Sequence, residues 1–500
     1  MSADKIQMKA ELACLMCKTR KKKCDKALPR CGYCTGKNLK CRYQDSRLNA
    51  AKRYVHLDRL NHVAKASIFL MDTLSSVDLS SYIPVDELSE MKSMDVFISA
   101  QVHRIVHATG RFVSDIIEQF FGGIYRFVPI VSRNRIQEVI AGIPVTTPPA
   151  DFSILLLTIC LTTYHPKPLE KSLPGIDHDS LYIATKSLFS KVQTATSAQG
   201  QPSLSLVQAG ILIAVYEYAR GMVDSSYLSI GACARMGYAA GIHERTRLPG
   251  KGTLSKEEGN TWWSILIYER LICCDVTTSQ DQPFAATMPG PDALLPTEPK
   301  EIDRADRLEP QSVTISSLST EEGISPLGRA AQGVWILDQV LQTIRMEQTK
   351  CKLARLTELN DTLQSFMMTL MRQLYGGHEL LCGSIAVVIR TLFLLNEKIA
   401  AEQLEQTLDI NSWWQERIEQ SQAALTTATK MMVDIVKSDS LASPPCAWPP
   451  SRLHRLRAAL RHLKQQPYLR KESWYDDAEG RLREALDEVC WYWSVDRSNL

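Results

Sequence analysis

From about residue 101 to the C-terminus, apolar residues recur at intervals of three and four, which predicts a long succession of helices and no sheet. In "LARLTELNDTLQSFMMTLM", Leu356, Leu359, Leu363, Phe366 and Leu370 form one stripe, as in a helix that covers its own core. In "LSLVQAGILIAVYEYARG" (204–221) apolar residues surround the axis instead, so this helix is expected to be buried on every side. A helix over 227–242 spaces Gly231, Ala234, Gly237 and Gly241 for close contact with a neighbour. Breaks are predicted at 142–151, 196–203, 283–328 and 443–451. Trp262, Trp263, Trp413 and Trp414 read as core anchors, and His243 as a structural residue at a helix end. The longest apolar run, "ILLLTICLTTY" at 154–164, falls short of the roughly 18 residues of a membrane span. Lys5, Lys9 and Glu11 interrupt the start of the chain where a secretory signal would be apolar. A non-membrane, intracellular protein is therefore expected.

Charge changes this picture by dividing the chain. Residues 1–53 hold fifteen Lys or Arg against four Asp or Glu, a net of +11, so the total of +3 leaves −8 for the rest. Cysteine divides it at the same place. Of fourteen cysteines, six lie at 14, 17, 24, 31, 34 and 41, whereas Cys160, Cys233, Cys273, Cys274, Cys351, Cys382, Cys446 and Cys490 have no ligand spacing and are expected to be small buried hydrophobes. The six form a repeat, C-x2-C-x6-C, a gap of six, and C-x2-C-x6-C again, with no histidine before His56. In a reducing compartment such spacing predicts metal rather than disulfides. A closed zinc site takes four ligands, so two zinc ions need eight ligand positions. Six cysteines meet that only if two sulfurs are shared.

The segment "ACLMCKTRKKKCDKALPRCGYCTGKNLKCRYQ" resembles the fungal Zn2Cys6 binuclear-cluster transcription factors, in its six cysteines, its basic run before the third and Pro29 before the fourth. The resemblance implies Cys14 and Cys31 as bridging ligands, with Cys17 and Cys24 completing one zinc site and Cys34 and Cys41 the other. Six thiolates and two Zn2+ carry −2, against +8 on the side chains from 14 to 41, so the module keeps about +6 toward a polyanion. Metal also replaces the core that some thirty residues cannot build. Double-stranded DNA is the implied partner, read by a short helix after the second cysteine that enters the major groove. Lys21 stands at the family's guanine-contacting position for a CGG-type triplet, and Lys18, Arg20, Lys22, Lys23 and Lys26 would hold phosphates.

Three domains are expected: the DNA-binding head at 8–46, a linker with a weak dimerisation helix at 47–100, and an all-helical regulatory domain at 101–500. In the linker Leu57, Leu60, Ala64, Ser67 and Met71 give at most two heptads toward a homodimer. The body resembles the family's middle homology region at 120–136, 231–249 and 257–296, but "EGNTWW" lacks the usual arginines and "DQPF" stands in place of Gly-Arg-Pro. No catalytic pattern competes: "HERTR" at 243–247 lacks the second histidine of H-E-x-x-H, and P-loop, G-x-S-x-G and G-x-G-x-x-G patterns are missing.

The expected function is a nuclear, sequence-specific regulator of RNA polymerase II transcription, an activator of a pathway gene set such as a secondary-metabolite cluster. Coactivators or the transcription machinery, and a small-molecule effector held in the helical body, are further expected partners. The alternative is a zinc-dependent nucleic-acid or chromatin protein without sequence choice. At the C-terminus (472–493), acidic residues alternate with Trp474, Tyr475, Trp491 and Trp493 as in activation segments, while Leu482, Leu486, Val489 and Trp493 lie at helical spacing.

Overall fold

The computed structural model describes residues 13–27, 30–39, 41, 87–143, 146–165, 176–247, 253–276, 282–297, 313–319, 324–347, 349–375, 381–401, 412–442 and 445–495. It separates into two compact units, one N-terminal and one beginning at Glu87. The linker, with its repeat at 57–71, lies outside the described residues.

The N-terminal unit holds two five-residue helices, α1 (Leu15–Thr19) and α2 (Gly32–Gly36). The described body consists of α3 (Glu87–Ala108), α4 (Val113–Gly122), α5 (Arg133–Gly142), α6 (Ala150–Thr163), α7 (His178–Gln199), α8 (Leu204–Ala219), α9 (Val223–Ala239), α10 (Thr253–Cys273), α11 (Pro326–Ile344), α12 (Thr349–Tyr375), α13 (Cys382–Ala401), α14 (Ser412–Ala442), α15 (Arg452–Gln465) and α16 (Tyr475–Trp493). Among the described residues there is no strand, and an isolated bridge joins Leu294 to Thr314.

The sequence pattern decides which helices are central. Every residue of α8 after Leu204 is buried, as is nearly all of α6, and these two pack against each other with α9 on the far side of α8. A helix apolar all round has no face to give to water, so it becomes the centre about which amphipathic helices close. The α12 stripe of Leu356, Leu359, Leu363, Phe366 and Leu370 is buried against α11 and α13. In α9, a Cβ on Gly237 would come within 2.9 Å of the Trp262 ring, so this glycine lets α9 and α10 meet closely. Gly241 has a different use: it ends α9 in the left-handed conformation (φ 71°) ahead of a 3-10 turn over Ile242–Thr246. His243 lies in that turn against the rings of Tyr238 and Trp262. Trp262 and Trp263 are buried, whereas the side chains of Trp413 and Trp414 lie outside the described residues.

Within the predicted break at 283–328, the described residues 283–297 form an irregular stretch that α10 ties down, and the break closes at Pro326, where α11 starts. Asn260 donates to the carbonyls of Pro129 and Thr297 and accepts from the Thr297 N–H at 2.9 Å, and the Trp263 indole donates to Leu294. Glu269 accepts from the amides of Ala285 and Ala286. The buried Arg270 guanidinium bonds Asp338, Glu269 and the Ala286 carbonyl, and lies 4.0 Å from the Phe284 ring centre. Backbone without a ladder must find its partners elsewhere, and here polar side chains on one buried helix supply them. Phe284 of the DQPF segment is part of what Arg270 holds.

A second buried charge cluster crosses the bundle. Asp275, just past α10, accepts from Arg390 on α13 at 2.8 Å and from the Tyr218 hydroxyl on α8 at 2.8 Å. His454 on α15 stacks on the Tyr218 ring and contacts the Tyr218 carbonyl at 2.9 Å.

One expectation needs correction. Cys160, Cys233 and Cys490 are buried and Cys273, Cys274 and Cys446 half-buried, but Cys351 and Cys382 are exposed, because both stand in the first turn of a helix that points their side chains outward. At the C-terminus, helical packing takes the apolar residues: Tyr475, Leu482, Val489 and Trp493 are buried in α16, which packs on α14 and α15. Trp491 remains 60% exposed, while Asp477 and Glu479 pair along the helix with Arg481 and Arg483.

Candidate metal centre and nucleic-acid interface

Each half of the N-terminal unit is built the same way. Cys14, in extended conformation, caps α1 by accepting the Cys17 N–H at its sulfur, and Cys31 caps α2 by accepting that of Cys34. A C-x2-C step therefore starts a helical turn and brings its two sulfurs together. Both turns end alike. Lys21 and Asn38, each four residues past the second cysteine of its half, take φ of 49°, and the next residue's N–H closes back on the Cys17 or Cys34 carbonyl at 2.9 Å. The repeat seen in the cysteines is thus also a repeat of backbone.

The two halves face each other through sulfur. Cys14 lies 3.7 Å from both Cys31 and Cys34, and Cys17 lies 3.6 Å from Cys31. Two four-sulfur groups result, Cys14, Cys17, Cys24 and Cys31, and Cys14, Cys31, Cys34 and Cys41, each with its sulfurs within 4.8 Å of one another. They share Cys14 and Cys31. A zinc tetrahedron with Zn–S near 2.3 Å has edges of roughly 3.8 Å, so these separations suit zinc. The charges suit it too. Burial pushes the thiols up, but hydrogen bonds from the Cys34 amide and from neighbouring thiols bring Cys31 down to about 6, while Cys34 is pushed up to about 12. Sulfurs this close cannot all ionise beside one another unless cations lie between them.

Asp25 is a residue that the ligand spacing did not single out. Its carboxylate accepts the Gly32 N–H at 2.9 and 3.1 Å, tying the loop after Cys24 to the start of α2. Its position beside the third cysteine was the available signal.

The basic residues surround the first half. Lys18, Arg20, Lys21, Lys22 and Lys23 are exposed and Lys26 is half-buried. The expected short helix after the second cysteine is corrected: α1 starts directly after the first cysteine and ends at Thr19, so it carries only Lys18 of the basic set. Lys21 lies beyond its end, in a conformation that lysine adopts at a cost of about 1 kcal/mol.

Residues 12–50 match the model of the fungal Zn(2)-Cys(6) binuclear cluster domain, and residues 117–280 that of the fungal specific transcription factor domain. The chain carries the cluster domain and the regulatory domain of fungal Zn(2)-Cys(6) transcription factors. It is similar to Transcription factor BOA15 of Botryotinia fuckeliana (strain B05.10), at 26% identity over 139 residues, which cover 27% of this chain and 69% of that protein. This regulator binds DNA and is not an enzyme, and its cluster domain takes two zinc ions. Zinc supplies no reaction here: it holds two halves that have almost no apolar core, and so fixes where the lysines point. In the body, the end of α4 and all of α5 to α10 fall within the second match, and no described helix is long and apolar enough to cross a membrane.

Proposed function

We propose that this regulator acts in the nucleus on RNA polymerase II promoters by reading CGG-type triplets, with Cys14 and Cys31 bridging two zinc ions, Cys17 and Cys24 completing one site and Cys34 and Cys41 the other. Domains at 8–46, 47–100 and 101–500 divide DNA binding, linkage and regulation. Lys21 reads guanine, and Lys18, Arg20, Lys22, Lys23 and Lys26 hold the backbone. The carrying observation is the exposed basic run of Lys18, Arg20, Lys21, Lys22 and Lys23 on the segment that the first four-sulfur group holds, since fixed positive charge beside a short turn fits the DNA surface. Activation of a pathway gene set, through coactivators and under a small-molecule effector, completes the reading, with a homodimer spanning two half-sites.

Lys21→Ala should weaken binding to a CGG duplex by about 1–3 kcal/mol and leave a scrambled duplex little changed. Lys26→Ala should weaken both duplexes together and reduce the salt slope by about 0.9 for each phosphate no longer held. Equal losses for both variants on both duplexes, in titrations at several salt concentrations, would reject sequence reading and favour the chromatin-type alternative.

A further inference from the structure

A cavity of about 230 Å3 opens in the body where three distant parts of the chain meet: the end of α4 with the residues after it, the end of α6, and the segment 445–448 with the end of α16. Its volume exceeds the ~150 Å3 apolar cavity that accepts benzene and stays below the ~300 Å3 at which drug-sized sites begin. One aromatic ring with small substituents is therefore the right size.

The walls have a definite chemistry. Trp448, Tyr492, Trp493 and the His165 ring give aromatic surface, and among the described residues no Asp, Glu, Lys or Arg lines the cavity. Two lining residues carry buried polar atoms with no hydrogen-bond partner among the described residues, Trp448 Nε1 and His165 Nε2. An unpaired buried polar atom is costly, and in a roomy cavity it is the signature of a missing ligand group or water. Their roles differ. The indole N–H can only donate. His165 stacks on Tyr492 at 3.7 Å and has its Nδ1 3.0 Å from the Tyr492 carbonyl, so Nδ1 carries the proton and Nε2 is left as an acceptor. Burial holds the imidazole neutral, with its pKa brought down to about 3. Arg111, beside the site, already donates to the Thr163 carbonyl and to Gln119.

From these walls and these two atoms we infer that the cavity binds an uncharged, hydroxylated single-ring aromatic molecule, whose hydroxyl donates to His165 and whose acceptor takes the Trp448 N–H. This deepens the effector part of the proposed function, but it is measured without DNA, so its failure leaves the Lys21 titration untouched. The full-length zinc-loaded protein is titrated calorimetrically with 4-hydroxyacetophenone, 4-methylacetophenone and 4-hydroxybenzoate. Submillimolar binding of the first is expected, with the methyl and carboxylate probes at least about fivefold weaker, in keeping with one hydrogen bond removed or one charge left unpaired. Trp448→Phe keeps the ring and removes the donor, and should weaken 4-hydroxyacetophenone about fivefold. Cys446→Phe should fill the cavity and abolish binding. Circular dichroism shows whether each variant keeps its helices, and His165→Phe replaces any variant that does not. No saturable binding up to about 5 mM, equal affinity for all three, or an unchanged affinity in Trp448→Phe would overturn the inference.

Discussion

Arg390→Met is expected to destabilise the helical body strongly, and by an amount that depends on pH in a direction the structure fixes. In the native protein Asp275 is buried, which by itself pushes its carboxyl up, yet the Arg390 charge, His454 and the hydrogen bonds from Arg390 and Tyr218 together hold it below the ordinary carboxylate value. A group depressed in this way stabilises the fold above its unfolded value of about 3.9 and loses that contribution as pH falls through the lower folded value. Removing Arg390 leaves a buried carboxylate with the Tyr218 hydroxyl, His454 and the field of Arg457 but without its hydrogen-bonded cation, a change that typically costs about 3–5 kcal/mol. For a cooperative unit of roughly 400 residues, with about 2.1 cal/mol/K of unfolding entropy per residue, this lowers the melting temperature by about 4–6 °C. The sign of the pH effect then reverses. With its main cation gone, the Asp275 pKa rises above the unfolded value, so the penalty is full at high pH and recedes as the carboxyl protonates. Thermal and urea unfolding of wild type, Arg390→Met and Arg390→Met with Asp275→Asn, at pH 8, 6.5 and 5, tests each step. The single variant should be closer to wild type at pH 5 than at pH 8, and the double variant should regain most of the loss at pH 8. A cost under about 1 kcal/mol at every pH, or a double variant no better than the single one, would refute the assignment of the cluster as a buried, coupled pair.

Elemental analysis of residues 1–60 should find two zinc ions, and Cys14→Ser should lower that content because its sulfur belongs to both four-sulfur groups. Strong chelation should leave the helical circular dichroism of the body, 87–500, unchanged, since its core is apolar and both four-sulfur groups lie in the head. Gly237→Leu should cost about 1–3 kcal/mol in urea unfolding, since even a Cβ there meets the Trp262 ring at 2.9 Å and an overpacked core must shift.

The metal head and the helical character of the body were both legible in the chain alone. Cysteine spacing specified the head because ligand number and geometry are local demands, met within about thirty residues, and the two backbone turns follow from each C-x2-C step. Periodicity specified the helices, and the α12 stripe and the wholly apolar α8 stand where the pattern placed them, because side-chain period and burial are tied together. How the polar residues of the body are used emerged only from the folded arrangement. Nothing near Asp275, Arg390, Tyr218 or His454 in the chain marks them as partners, for every pair of them lies more than 50 residues apart. The same holds for His165 and Trp448 around the cavity, and for Asn260 and Glu269, which keep an unpaired stretch of backbone in order. Cys351 and Cys382 make the point in reverse: the apolar character of a free thiol suggested burial, and the faces of α12 and α13 on which they stand turned them outward. Local pattern fixes what a segment can become, whereas the pairing of buried polar atoms depends on which segments close on one another.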